Sequence, residues 1–123
     1  VLPFSVTIRP GRSIHDQIVF AVRKAVVAGQ LQPGDRFPSV RTLSQELKVN
    51  PNTAMKVVAS LVEEGLLDVQ PGIGTLVAAR RASQSPGALD DLIERLVVDA
   101  KRLGLPLAAV LSSIRAEWKS GGS

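Results

Sequence analysis

The residues that invite a chemical reading cluster in "VNPNTAMKVV", residues 49–58. Asn50, Asn52, Thr53 and Lys56 bring amide, hydroxyl and ammonium groups to the start of an apolar run with helical spacing, and no carboxylate accompanies them. A helix made only to fill a core would welcome Asp or Glu there, because the backbone dipole at a helix N-terminus favours negative charge. Their absence points to a negative charge supplied from outside. Amides and hydroxyls hydrogen-bond to phosphates and to base edges alike, whereas an acid in those turns would meet a phosphate at close range. Arg41 repeats the pattern at the start of a second short helix, just after Ser39. A cation there opposes the dipole unless an anion binds, in which case the guanidinium fork and the free helix amides act together. "QPGIGT", residues 70–75, adds Gly72 and Gly74, which allow a close backbone approach to phosphate, and the hydrogen-bonding side chains of Gln70 and Thr75.

Blander readings compete at each position. Arg41 and Lys56 could be solvated charges, and Asn52 and Thr53 favour helix starts for purely local reasons. "PGIG" read as an enzyme's phosphate loop lacks the lysine and the following helix that such a loop requires. Arg80 and Arg81 read as linker residues, with phosphate contact the alternative. The chain has one histidine, His15, and no cysteine, which rules out imidazole clusters and thiolate metal sites. No constellation of nucleophile, base and orienting group is expected from such a set. Paired acids at Asp90 and Asp91, and at Glu63 and Glu64, diverge on a helix and read as exposed faces. The expectation is therefore no enzyme activity, no metal and no cofactor, with His15 an ordinary surface or inter-helix residue.

The elements that would position these groups follow from periodicity and capping. Ser13 can cap a first helix with Ile14, Ile18, Ala21, Val22, Ala25 and Val26 on one face, ended by Gly29. After an irregular start and a turn-rich "LQPGDRFPS", Ser39 caps a short helix through Leu47 with Val40, Leu43 and Leu47 aligned. Asn50 as N-cap and Pro51 at the first helical position open a third helix. Its buried stripe is expected to be Ala54, Val57, Val58, Leu61 and Val62, leaving Asn52, Met55, Lys56, Ala59 and Glu63 outward, with Gly65 as the stop. Two strands at residues 66–70 and 75–79 read as a hairpin.

Beyond a linker at residues 81–88, two apolar stripes follow at helical spacing, the second after the break at Gly104 to Pro106. Two such helices cannot enclose their own apolar faces, and a second copy of the chain is the simplest cover. The dimerisation residues expected are Leu92, Ile93, Leu96, Leu103, Val110, Leu111, Ile114 and Trp118. This divides the chain into a domain at 1–80, the linker, a dimerisation module at 89–119 and a disordered tail at 120–123.

Charge supports that division. Residues 1–81 hold ten basic against six acidic side chains, and the remainder holds five of each, so the first part carries the whole net charge of +4. A polyanion suits the first part and protein the second. With 45% hydrophobic and 21% charged residues the chain reads as globular rather than disordered. Its longest apolar run falls far short of the ~18 residues that a membrane span needs, so a soluble, cytoplasmic protein without membrane contact is expected.

Residues 29–77, "GQLQPGDRFPSVRTLSQELKVNPNTAMKVVASLVEEGLLDVQPGIGTLV", closely resemble the DNA-binding domain of GntR-family transcription regulators, through "PGDRFPSVR", the "EEGLL" helix exit and the "GIGT" wing. The "VNPNT" form and the short two-helix tail are similar to the YtrA subfamily. The resemblance implies a mainly α fold with a small β-hairpin, a winged helix-turn-helix domain followed by a C-terminal two-helix dimerisation module. It implies a homodimeric, sequence-specific regulator of double-stranded DNA, expected to be a repressor on a pseudo-palindromic operator. Arg41 is then a DNA contact, together with Ser39, Asn50, Asn52, Thr53, Lys56, Gln70, Gly72, Gly74 and Thr75. Met55 departs from the arginine of many wider-family members, so base preference does not carry over, and Lys48 fills a turn position often held by glycine. The family's usual small-molecule effector would need a pocket built by both subunits here. The alternative is a winged-helix module for protein or RNA contacts.

Overall fold

Ser13, Ser39 and Asn50 open three helices by the same device. Each side chain accepts a hydrogen bond from a backbone N–H of the first turn, from Asp16, Thr42 and Asn52 respectively. The computed structural model describes residues 2–79 and 86–120. The helices are α1, Ile14–Val27, α2, Val40–Leu47, and α3, Pro51–Glu63. A hairpin follows, β1 Leu67–Gln70 and β2 Gly74–Val77, then a 3-10 turn at Pro86–Leu89 and two helices, α4 Asp90–Arg102 and α5 Leu107–Ser120. The described residues form two compact units, divided between Arg80 and Arg81.

In the first unit α3 lies against both α1 and α2. The side chains that lock them are Ile18 and Val22 from α1, Leu43 from α2, and Ala54, Val57 and Leu61 from α3, all essentially without solvent contact. Each large aliphatic chain so buried contributes about 1.5–3 kcal/mol relative to exposure. The expected stripe of α3 is corrected at one edge: Val58 is only half-buried and Val62 is exposed. Asn52, Met55, Lys56, Ala59 and Glu63 do face outward.

The hairpin pairs Leu67 with Val77 and Gln70 with Gly74, burying Leu67 and Val77 against the helices. The strands are shorter than residues 66–70 and 75–79, although Ala78 N–H still donates to Leu66 O at 2.9 Å. The segment read as a turn-rich connection does more than turn. Gly34 N–H donates to Val77 O (2.9 Å), Val77 N–H to Asp35 O (2.8 Å) and Phe37 N–H to Thr75 O (2.9 Å), so residues 34–37 line the second edge of β2. Nor is the N-terminal start merely irregular: Phe4 is buried and stacks on Phe37 with ring centroids 5.8 Å apart. Gln17 clasps the same segment, its Oε1 accepting from Arg9 N–H (2.7 Å) and its Nε2 donating to Arg9 O (3.0 Å).

In the second unit Gly104, at φ +75°, separates α4 from α5. Ala100 is its only buried apolar side chain among the described residues. Leu92, Ile93, Leu96, Leu103, Leu111, Ile114 and Trp118 are exposed, and Val110 is half-buried. The helical part begins at Pro86, inside the expected linker 81–88, and α5 runs one residue into the expected tail 120–123. Residues 80–85 and 121–123, and with them Arg80 and Arg81, lie outside the described residues.

Candidate nucleic-acid interface

The N-termini of α2 and α3 are the two places where backbone amides, cations and uncharged polar groups coincide. Neither helix has an acidic residue in its first turn. Arg41 stands exposed in the first turn of α2, with no ion pair among the described residues. Beside it, Ser39 Oγ accepts from Thr42 N–H at 3.1 Å and donates to Thr42 Oγ1 at 3.1 Å. Ser39 is thus committed first to capping, and only what remains of its hydroxyl can face a partner.

Asn50 is divided in the same way. Its Oδ1 accepts from Asn52 N–H at 2.8 Å, fixing the first turn of α3 and leaving the amide nitrogen to point elsewhere. Asn52 and Lys56 are exposed and Thr53 is half-buried, so these residues form one cluster over the first two turns. Met55 is exposed on the same outer side. The acids Glu63 and Glu64 stand at the opposite end of the helix, where Arg23 of α1 donates through Nε and Nη2 to the two carboxylate oxygens of Glu64. Charge therefore runs from cationic at the start of α3 to acidic at its exit.

The wing residues make a separate cluster at the hairpin tip. Gly72 and Gly74 have φ of +77° and +120°, a conformation that side-chain-bearing residues rarely adopt, although a Cβ at either would meet no atom. Gln70 Nε2 donates to Asp68 Oδ2 at 2.7 Å, so this amide is already engaged on its own strand. Thr75 is half-buried, and its carbonyl accepts from Phe37.

One expectation about chemistry needs correction. A Ser–His–Asp chain does exist: His15 Nδ1 lies 3.0 Å from Asp16 Oδ1 and His15 Nε2 lies 2.9 Å from Ser60 Oγ. Sequence could not show it, because Ser60 is 45 positions from His15. The open groove found among the described residues is lined by Leu2, Pro3, Arg36, Phe37, Pro38 and Thr42, and none of the three belongs to it. The chain of bonds instead joins α1 to α3 and helps to set the attitude of the helix whose start carries the interface. No group of His, Asp or Glu able to hold a metal occurs among the described residues.

Three helices, the second short and leading by a tight turn into the third, then a hairpin, define a winged helix-turn-helix protein with an appended helical module. Within that class the chain belongs to the GntR family: the family model "Bacterial regulatory proteins, gntR family" matches residues 6–77. Its members regulate transcription by binding DNA, and this chain is YtrA-like. The HTH-type transcriptional repressor YtrA of Bacillus subtilis (strain 168) is 28% identical over 120 residues, covering 92% of each chain. A transcriptional antiterminator structure from Listeria monocytogenes EGD-e shares the fold with a TM-score of 0.85, at 24% identity, over 98% of this chain and 92% of its own. AraR(DBD), solved in complex with operator ORX1, aligns at 26% identity and TM-score 0.52 over 60% of this chain and 95% of its own.

Proposed function

We propose that the chain is a homodimeric repressor that reads a pseudo-palindromic operator with two copies of α3. The observation that carries this reading is the acid-free, cation-bearing start of both α2 and α3, with Arg41 and Lys56 exposed and unpaired among the described residues. α3 enters the major groove N-terminus first, bringing Asn50, Asn52, Thr53 and Lys56 to base edges and phosphates. Arg41, with the amides that Ser39 leaves open at the start of α2, holds a phosphate at the groove wall. The wing, through Gly72, Gly74 and Thr75, follows the backbone towards the minor groove.

α4 and α5 supply the symmetry. Their exposed leucines, Ile93, Ile114 and Trp118 form apolar surface that a second copy would cover, placing the half-sites about one helical turn apart. A small-molecule effector, where one acts, binds between the two copies. No helix of the described residues is long and apolar enough to cross a membrane, in keeping with action on cytoplasmic DNA.

Selection of bound duplexes from a random pool tests the proposal directly, because it yields operator sequence, symmetry and spacing together. Recovery of an inverted repeat supports it. Equal or tighter binding of structured RNA or single strands in matched salt would replace it with the alternative of a winged helix used for other contacts.

A further inference from the structure

Among the described residues, four helices end in the same backbone motif. After α1, α3 and α4 a glycine takes the left-handed position: Gly29 at φ +82°, Gly65 at +81° and Gly104 at +75°. The residue after each donates its N–H to the carbonyl five positions back, Gln30 to Ala25, Leu66 to Leu61 and Leu105 to Ala100. α2 ends with the same five-back bond, Val49 N–H on Ser44 O at 3.0 Å, but its left-handed residue is Lys48, at φ +56° and ψ +45°, whose own N–H also reaches Ser44 O. Among the described residues it is the only non-glycine with positive φ.

Nothing local accounts for a lysine there. Its Cβ crowds the backbone in this conformation, and it lacks the short polar side chain that lets Asn or Asp offset the cost. The side chain is exposed and makes no hydrogen bond or ion pair among the described residues. A cation near the C-terminus of α2 would complement the dipole, but the last turn of α2 offers positions without backbone cost and carries no basic residue. What distinguishes position 48 is its place in the turn, two residues ahead of Asn50, the cap of α3.

We infer that Lys48 is a further DNA contact, its ammonium neutralising a backbone phosphate at the rim of the groove that α3 enters. This rests on the reading of α3 given above. The flexible four-carbon stem suits a phosphate, which asks for a point charge rather than a fixed geometry. The strained backbone is retained because glycine, the better turn residue, carries no charge.

The test uses the full chain and the duplex recovered by selection, with Lys48→Gly, Lys48→Gln, Lys48→Arg and Arg41→Ala compared for melting temperature and for affinity across a salt series. Lys48→Gly is expected to melt higher than the wild type yet bind more weakly. Its salt slope falls by about 0.9 for each phosphate that is no longer neutralised, so between 50 and 200 mM salt the wild type loses about 3.5-fold more affinity than the variant for each such phosphate. Lys48→Gln keeps the backbone cost and shows the same slope without the gain in melting temperature; Lys48→Arg keeps the wild-type slope. Wild-type affinity and slope in both the Gly and Gln variants, with Arg41→Ala still impaired, overturn the Lys48 contact and leave the operator reading intact. A wild type that prefers no duplex overturns both.

Discussion

His15 Nε2 on α1 lies 2.9 Å from Ser60 Oγ in the last turn of α3, the helix whose first turns carry the candidate interface. In the tautomer with hydrogen on Nδ1, Asp16 Oδ1 accepts from that Nδ1–H, and Nε2 accepts a hydrogen bond from the Ser60 hydroxyl. Hydrophobic contacts fix how closely two helices approach, but they are non-directional, and a polar bond between them selects one rotation. Truncating His15 or Ser60 to Ala should each destabilise the fold by about 1 kcal/mol, and the double variant should cost about 0.5–1.5 kcal/mol less than the sum of the two. Urea unfolding of the four proteins measures this coupling, and strict additivity would mean that the bond contributes nothing.

Asn50 separates capping from recognition. Aspartate caps a helix as well as asparagine does and interacts more favourably with the dipole, so Asn50→Asp should leave stability unchanged or raise it by about 0.3–1 kcal/mol. The same carboxylate would face phosphate, so operator affinity should fall. Thermal melting and duplex titration of one preparation give both answers, and a variant that binds as tightly as the wild type removes the reason offered for the acid-free start of α3.

Arg41→Ala should weaken operator binding and flatten its dependence on salt by about 0.9 in log–log slope per phosphate released. Because the side chain is exposed and unpaired among the described residues, the melting temperature should stay close to the wild type. Fluorescence titration at several salt concentrations decides it.

Leu61 is fully buried where α3 meets the rest of the first unit, and Leu61→Ala should cost about 2–5 kcal/mol through forfeited transfer energy and the cavity left behind. Denaturant unfolding checks the figure.

The proposed dimer covers Trp118 and Ile114, which are exposed on α5 of the single chain, so on that proposal a Trp118→Ala, Ile114→Ala double variant should pair more weakly than the wild type. Sedimentation velocity over a dilution series measures it. Operator binding should weaken in parallel, since a monomer reaches one half-site.

How far the sequence could be read depended on whether a signal was local. The caps Ser13, Ser39 and Asn50 and the glycine exits Gly29 and Gly65 are written in single residues with positional meaning, and the helix ends fall on them. Position 48, a place where glycine is usual, indeed adopts the left-handed conformation. Pairs distant in sequence left no such mark. Nothing near Phe4 announces that it stacks on Phe37, and nothing near Ser60 announces His15, because each contact exists only after the chain has folded back. Val62 fits the apolar spacing of α3 yet remains exposed, since periodicity names a face and not the width of the surface that covers it. At the candidate interface the residue types were legible, whereas the prior commitments of Ser39, Asn50 and Gln70 to neighbouring groups were not.

The strand β2 has neighbours along both sides, β1 on one and residues 34–37 on the other. A hairpin held out to meet a partner would ordinarily offer its spare N–H and C=O groups to any passing chain, inviting strand-by-strand accretion. Here that flank is already taken, and the prolines bracketing the covering segment, Pro33 and Pro38, have no N–H with which to template another layer. The wing can thus meet a partner without seeding aggregates along β2.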